Sequence, residues 1–216
     1  MNNNYQLPPH PTGAEHKFFE RYLDNDLDSL SDFLQKQYGR IERRELPGTT
    51  AVTEKDAWLS SSSVSTIKWT EYNVFQFYDK GIYNLYKNIS DVVKEACEYY
   101  NVNFEDQKYM IQGWFNINHN KKGRLDWHDH GGPWAPYFHG YYCVKAEPST
   151  TWYKVFDKDV PNENKDNRLI ISEMGHPHAM QDWDWEGPRI TIAYDIVPLS
   201  NLIAIDAQPQ HWIPLL

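Results

Sequence analysis

The residues best suited to chemistry are histidines that stand two apart in the second half of the chain. One pair, His128 and His130, lies in the run Trp-His-Asp-His. Successive side chains of a strand point to opposite faces, so these two histidines share a face and can reach one metal ion. A distant histidine can complete that side of the coordination sphere and leave positions open for a substrate and a gas. Imidazole suits iron, copper, nickel and zinc, so ligand type alone does not choose the metal.

The ligand that accompanies His128 is open at this point. His130 has the right parity, whereas Asp129 faces the other side of a regular strand. A bulge could reverse that parity, and the glycine pair that follows His130 makes one feasible. Asp126 lies two residues before His128 and offers a carboxylate on the same face. We therefore expect His128 and His130 to bind the metal, with Asp126 and Asp129 as the alternatives to His130.

A second pair, His176 and His178, precedes a strand-like segment that begins at Arg189. Along that segment Arg189, Thr191 and Ala193 alternate with apolar side chains and so share one face. The planar guanidinium can bind a carboxylate through two parallel charge-assisted bonds. Thr191 could donate a further hydrogen bond to the same anion. The alternative is that Arg189 is a surface residue after the Glu-Gly-Pro turn.

Taken together, the order and spacing of these residues resemble the Fe(II)/2-oxoglutarate-dependent oxygenases over roughly residues 110–198. In that family a strand-borne His-x-Asp/Glu pair, a distal histidine and a later arginine bind iron and the cosubstrate. The resemblance implies His128, His130 and His178 as the iron ligands. It favours His178 over His176 because His178 lies eleven residues before Arg189. His130 stands where the family usually has an acid, so an all-imidazole site would carry one more positive charge.

The resemblance also implies a cosubstrate site and a reaction. Arg189, with Thr191 beside it, would hold the far carboxylate of 2-oxoglutarate. Tyr142 resembles the tyrosine that touches the same carboxylate in several family members, and Tyr141 has the opposite parity. The implied enzyme is a dioxygenase that uses O2, converts 2-oxoglutarate to succinate and hydroxylates an unactivated C–H bond. The prime substrate is open among a peptidyl residue, an amino acid and a small metabolite.

Two other functions are compatible with the histidines. A cupin-type metal enzyme uses a His-x-His…His site on a related fold. Cupins usually place a glutamate shortly after the histidine pair, where this chain has Gly131 and Gly132, and they do not require Arg189. A non-catalytic jelly-roll binding module would have kept the fold without the iron. Joint binding of Fe(II) and 2-oxoglutarate separates the three functions.

The composition narrows the class of protein and its partners. A chain of 216 residues fits a single domain, residues 1–216. A net charge of −9 without a basic block argues against nucleic acid or an anionic membrane as a partner. Cys97 and Cys143 form no Cys-x-x-Cys pair, so we expect reduced thiols and a cytoplasmic protein. The apolar tail after Leu199 is expected to pack on the body or on a second subunit, which leaves a homo-oligomer open.

Hydrophobic periodicity predicts the elements that position these residues. Helical spacing from residue 14 to about residue 39 and from residue 74 to residue 100 predicts helical support over about residues 14–100, with a break near residues 24–26 where Asp26 or Asp28 would cap a helix. Between the two helical stretches, residues 64–69 alternate like a short strand. Beyond Tyr109, short strands separated by turns predict a mainly β fold with an antiparallel core over about residues 109–198. Within that class we expect a double-stranded β-helix, or jelly roll, which the family resemblance also implies. The predicted strands cover residues 109–118, 138–145, 152–156, 168–172 and 189–197.

Overall fold

The computed structural model describes residues 17–42, 63–66, 72–119, 125–130, 137–155, 158–173, 176–180, 186–204 and 211–216. The helices within these ranges are α1 (Leu27–Glu42), α2 (Lys80–Tyr99), α3 (Phe104–Gln107), α4 (Leu199–Ala204) and a 3-10 helix (Val74–Gln76). The strands are β1 (Phe18–Tyr22), β2 (Ser63–Ser65), β3 (Tyr109–Asn118), β4 (Leu125–His128), β5 (Phe138–Lys145), β6 (Thr150–Val155), β7 (Lys158–Glu163), β8 (Arg168–Glu173), β9 (His178–Met180), β10 (Arg189–Pro198) and β11 (Ile213–Pro214).

These strands form two antiparallel sheets. The larger sheet has the order β1-β8-β5-β10-β3-β11, with β2 also paired to β3, and the smaller sheet has the order β4-β9-β6-β7. From β3 to β10 the chain passes back and forth between the sheets, and only β6 and β7 are successive strands of one sheet. The prediction of a mainly β fold with an antiparallel core is confirmed at this level.

The helices cover one face of the larger sheet. Helix α2 begins after Asp79, whose side chain accepts hydrogen bonds from the backbone N–H groups of Gly81 and Ile82. Its buried apolar side chains pack with those of α1 and of the larger sheet in a single core. Burial of each large aliphatic side chain contributes about 1.5–3 kcal/mol. The helices therefore hold the larger sheet from outside and leave its other face to the smaller sheet.

The N-terminal segment differs from the predicted helix. Residues Phe18–Tyr22 form a strand that pairs with β8, and only after it does helix α1 begin, at Leu27. The Asp26 side chain accepts a hydrogen bond from the backbone N–H of Ser29, so the predicted cap at Asp26 is confirmed. A short apolar run fits a helical and a strand period equally well. Pairing with the free edge of β8 decides for the strand.

Strand β10 separates two cores because its alternate side chains face opposite ways. One set packs in the core beneath the helices and consists of Ile190, Ile192, Tyr194 and Ile196. Ala193, from the other set, packs with Trp114, Tyr141 and Tyr153 in a second buried cluster. All residues of β10 are buried. The set that faces the smaller sheet, with Ala193, is Arg189, Thr191 and Asp195.

Gly140 allows a close approach within the larger sheet. A Cβ at this position would lie 2.3 Å from the Ile170 carbonyl oxygen and 2.6 Å from the ring of Tyr194. The Tyr194 hydroxyl crosses this space and donates a hydrogen bond to the same carbonyl at 3.0 Å. A backbone oxygen in a sheet cannot move aside cheaply, so the position requires glycine.

The tail packs on the body, as predicted. Strand β11 pairs with β3, and Trp212 and Leu215 are buried. Cys97 and Cys143 are buried and are not joined in a disulfide. Among the described residues, no helix is both long enough and apolar enough to span a membrane.

Candidate metal centre

Three histidines meet between the two sheets. His128 and His178 are paired across β4 and β9, and their ring centroids are 4.3 Å apart. Between Leu125 and His128, β4 has one residue more than β9, which is a β-bulge. The His130 ring lies 5.6 Å from that of His128 and 5.2 Å from that of His178. One nitrogen of each imidazole lies within 4.8 Å of the others. The structure thus brings the three predicted ligands together.

His178, rather than His176, contributes its ring to this group. The Nδ1 of His178 donates a hydrogen bond to the backbone carbonyl of His176 at 3.0 Å. A carbonyl only accepts, so Nε2 carries no proton and is open to a metal. Burial holds the pKa of His178 well below its usual value, and the neighbouring histidines lower it further. The imidazole is therefore neutral, as a ligand must be. The His176 ring lies apart from the group, 6.1 Å from the ring of Phe18.

Asp195 contacts the cluster, although the sequence analysis gave it no role. Its two oxygens lie 2.8 and 2.9 Å from Nδ1 of His130, and Oδ1 also lies 2.8 Å from Nδ1 of His139. Burial would raise the pKa of Asp195, but the two imidazoles lower it to about 2, so the carboxylate is ionised. Burial would lower the pKa of His130, but the Asp195 charge outweighs it and the pKa is raised.

His139 is a fourth imidazole in this interior. It pairs with Asp195 across β5 and β10, and its ring lies 4.2 Å from that of His130 and 4.6 Å from that of His178. Burial and, after it, the neighbouring His130 lower the pKa of His139 to about 4, so the ring is neutral near pH 7. His130, His139 and Asp195 form a second group of possible ligand atoms within 4.8 Å.

The acids that were alternatives to His130 have different positions. Asp129 is partly exposed and belongs to neither group of possible ligands among the described side chains. Asp126 lies in β4, but its side chain lies outside the described residues, as do Gly131 and Gly132. Among the described acids, the one that joins a possible ligand group is Asp195.

Arg189 is buried rather than on the surface. Its exposed fraction is 5%, and Nε donates a hydrogen bond to Ser149 Oγ at 3.1 Å. Its Nη1 lies 3.5 Å from Thr191 Oγ1, so the two predicted neighbours are adjacent. Burial lowers the pKa of the guanidinium. Among the described residues no carboxylate lies within ion-pair distance of it, so a buried cation stands without an acidic partner. Such a group is costly unless an anion joins it.

A polar network holds Arg189 in place. Ser149 Oγ accepts from Arg189 and from the amide of Asn164, the latter at 2.8 Å. The Asn164 side-chain oxygen in turn accepts from the Tyr141 hydroxyl at 2.8 Å and from Thr151 at 3.3 Å. Nε of Arg189 donates to Ser149, and Nη1 donates to Thr191 Oγ1 at 3.5 Å. Each Nη atom carries two hydrogens, so among the described residues the second N–H of Nη1 and both N–H groups of Nη2 are the donors that remain for a ligand.

Tyr141, and not Tyr142, lies on the face of β5 that carries Arg189. The Tyr142 hydroxyl hydrogen-bonds Asn25 and Asn167, and its ring packs in the core beneath the helices. Tyr141 packs in the inter-sheet cluster and is close enough to Arg189 for that charge to act on its pKa. The two tyrosines point to opposite faces of β5, as predicted, but it is Tyr141 and not Tyr142 that points towards the smaller sheet. The expectation for Tyr142 is corrected accordingly.

Tyr153 links the arginine to the histidines. Its ring centroid lies 5.7 Å from that of His178, and it is among the groups that act on the pKa of Arg189. Its side chain is fully buried, and its hydroxyl has no hydrogen-bond partner among the residues that the structure describes. A buried hydroxyl without a partner costs about 1–3 kcal/mol. A ligand that bound Arg189 within this interior could accept that hydrogen bond.

The donor set fits a divalent transition metal. His128, His130 and His178 offer three imidazole nitrogens close together, and hydrogen bonds at Nδ1 of His130 and His178 direct their Nε2 atoms to the shared space. Imidazole suits iron among other metals of this row. The ionised Asp195 offsets part of the ion's charge. This set of nitrogen ligands with a neighbouring carboxylate is compatible with Fe(II).

The sequence carried weak signals for the residues that were missed. Asp195 continues the alternation of Arg189, Thr191 and Ala193, and it is a charged residue inside an otherwise apolar strand. His139 likewise opens an apolar strand. Their joint role depends on the pairing of β5 with β10, which the pattern of either strand alone does not specify.

Comparisons with known proteins agree with the fold. No protein-family profile and no curated sequence matches the chain significantly. Among solved structures, a Pseudomonas putida prolyl-4-hydroxylase aligns with a TM-score of 0.52, at 12% identity over 84% of this chain and 93% of that one. A Trichoplax adhaerens prolyl hydroxylase, solved with a hypoxia inducible factor peptide, aligns with a TM-score of 0.54, at 12% identity over 89% of this chain and 87% of that one. The epimerase SnoN, solved with Fe3+, alpha-ketoglutarate and nogalamycin RO, aligns with a TM-score of 0.53, at 9% identity over 85% of this chain and 79% of that one. At these identities the likeness assigns the fold, and the chain has the fold of the 2-oxoglutarate/Fe(II) oxygenases.

Proposed function

We propose that this protein is an Fe(II)- and 2-oxoglutarate-dependent dioxygenase. The observation that carries the proposal is the buried guanidinium of Arg189, which has no acidic partner among the described residues and faces the same inter-sheet space as the three-imidazole cluster. A cation at one end and a metal site at the other suit a dianionic 2-oxo acid. The iron and alpha-ketoglutarate named for SnoN support the same pairing of ligands.

We propose that the two sheets are the double-stranded β-helix predicted from the sequence. The alternation of successive strands between the sheets supports this, as does the position of the site between them. His128 and His178 come from the smaller sheet and Arg189 from the larger one. The site therefore needs both sheets in place, which is why its residues are far apart in the sequence.

In this proposal His128, His130 and His178 would hold the iron, and Arg189 would bind the far carboxylate of 2-oxoglutarate with its remaining Nη donors. The bound iron supplies the redox chemistry that couples decarboxylation of 2-oxoglutarate by O2 to oxidation of the substrate. Thr191 and the Tyr153 hydroxyl are placed to donate to the same carboxylate. The buried aromatic cluster around them excludes water, which strengthens each of these charged contacts.

We further propose that the reaction is hydroxylation of an unactivated C–H bond. The substrate belongs to one of three classes: a peptidyl residue, an amino acid or a small metabolite. The neighbours that are named as prolyl hydroxylases support hydroxylation, and the peptide in one of them supports a peptidyl substrate. A cupin-type enzyme has no use for a buried arginine opposite its metal, so Arg189 disfavours that alternative.

The test is an anaerobic titration of the metal-free protein with Fe(II) and then with 2-oxoglutarate. We expect a visible charge-transfer band that requires both ligands, followed by succinate formation when O2 is admitted. His178→Ala should abolish the band, whereas His119→Ala, at an exposed histidine, should preserve it. Iron binding without a band on addition of 2-oxoglutarate would refute the proposal and return the cupin-type function. Absence of iron binding would refute any metal function.

A further inference from the structure

We propose that Asp195 is a positioning residue that acts on the metal through the imidazole of His130. It would supply the negative charge of a carboxylate ligand without binding the metal itself. This inference rests on the proposed function, because it concerns how the same centre holds its ion. Three neutral imidazoles leave a divalent charge uncompensated in a buried place, which is costly. Asp195 returns a full negative charge to the site without occupying a coordination position.

The contact between Asp195 and His130 has the required geometry. Both carboxylate oxygens lie within hydrogen-bond distance of Nδ1, at 2.8 and 2.9 Å. The carboxylate can only accept, so the proton sits on Nδ1 and Nε2 remains for the metal. A carboxylate behind a metal-bound histidine fixes the orientation of the ring and raises the basicity of the coordinating nitrogen.

The fold holds Asp195 in this position. The residue is 5% exposed, and His139 donates a second hydrogen bond to its Oδ1 at 2.8 Å. His139 and Asp195 are directly paired on neighbouring strands, so sheet register sets their separation. The Trp114 ring lies 5.4 Å from the His130 ring and 6.3 Å from the His139 ring and closes one side of the contact. The carboxylate cannot turn away from His130 without losing bonds to two imidazoles.

A rival arrangement uses the same atoms differently. Asp195, His130 and His139 could themselves surround an ion, since their ligand atoms also lie within 4.8 Å of one another. In that case Nδ1 of His130 would bind the metal, and His128 and His178 would be dispensable. In the arrangement that we propose, Nε2 of His130 binds the metal and both other histidines are required.

The first experiment measures Zn(II) and Fe(II) dissociation constants in the full chain. Loss of an outer partner of a metal-bound histidine typically weakens affinity about 10- to 100-fold. We expect Asp195→Asn to fall in that range and Asp159→Asn, the same charge change at an exposed site, to have no effect. In a His130→Asp background the added Asp195→Asn should no longer weaken binding, because the metal then has its own carboxylate. A merely structural role for Asp195 predicts equal weakening in both backgrounds and would overturn the inference.

The second experiment reads the two nitrogens of His130 by 15N NMR in the zinc-loaded wild-type protein. We expect a metal-bound Nε2 and a protonated, strongly hydrogen-bonded Nδ1. A metal-bound Nδ1, or zinc retained in His128→Ala, would establish the rival arrangement and overturn the inference. This spectrum needs no variant of Asp195 and so decides the matter even if Asp195→Asn fails to fold. A wild-type protein that binds neither metal would instead refute the proposed function, and unchanged affinity in Asp195→Asn would refute this inference alone.

Discussion

Replacing Arg189 with lysine should separate cosubstrate binding from metal binding. Lysine keeps the positive charge but has a single ammonium in place of the planar fork. Arg189 already commits its Nε to Ser149, so its two Nη atoms are what a carboxylate would meet. Lysine cannot hold Ser149 and bind both oxygens of a carboxylate at once. We therefore expect weaker 2-oxoglutarate binding with unchanged iron binding.

The size of the effect follows from the bond that is lost. A hydrogen bond to a charged group contributes about 1.5–3 kcal/mol. Such a loss corresponds to roughly a tenfold to a hundredfold increase in the dissociation constant. The His128, His130 and His178 group does not include Arg189, so the iron dissociation constant should stay the same.

Anaerobic calorimetry of 2-oxoglutarate binding to the iron-loaded protein measures this directly. Arg168→Lys is a matched control, because Arg168 hydrogen-bonds Asn162 and pairs with Glu20 instead of facing the cluster. An unchanged 2-oxoglutarate constant in Arg189→Lys would refute the role of the guanidinium. Weakened iron binding in the same variant would show that the substitution disturbs the whole interior, and the assignment would fail for that reason.

Three further outcomes follow from the interior. Tyr153→Phe removes a buried hydroxyl that has no partner among the described residues, so thermal unfolding should show the metal-free variant to be as stable as the wild type or more stable. The same variant should bind 2-oxoglutarate more weakly, and unchanged binding would remove Tyr153 from the site. In the metal-free protein His139 should contribute stability that is present above about pH 6.5 and falls by about 3 kcal/mol towards about pH 4, because folded His139 resists protonation while the unfolded chain accepts it. The lowered pKa of His178 acts in the same direction and the raised pKa of His130 in the opposite one, so the contribution of His139 is the difference between the wild type and His139→Gln. Urea unfolding at pH 7 and pH 5 should show a smaller loss of stability at pH 5 in His139→Gln than in the wild type. Gly140→Ala should destabilise the protein by about 1–3 kcal/mol in urea unfolding, because the added Cβ would clash with a backbone oxygen. Gly81→Ala is the control and should be tolerated, because a Cβ there would contact only side-chain atoms, at 3.2 Å or more.

Strand periodicity explains how much of the fold could be predicted. The predicted strands at residues 109–118 and 138–145 coincide with β3 and β5, because these segments are rich in aromatic and β-branched residues and are bounded by turn residues, which favours a strand over a helix. Strand β1 could not be predicted, because its few residues fit two periods and the edge of β8 chose between them. The short strand β9 carries His178 and has no period of its own to read.

The candidate site divides along a similar line. Spacing within one segment was enough to propose His128, His130 and Arg189, because parity along a strand is a local property. The phase of β5, which puts Tyr141 on the inner face, depends on which side of the sheet the helices cover.

The sequence by itself predicted a mainly β fold and singled out the three histidines and the arginine, since these predictions rest on residue type, local period and the family resemblance. Only the tertiary structure decided that Asp195 lies behind His130, that His139 supports it and that Arg189 is buried without an acid among the described residues. The physical reason is that these facts are contacts between strands distant in the chain. Sheet register, set by packing of both sheets and the helices, brings such residues together, and no local pattern records it.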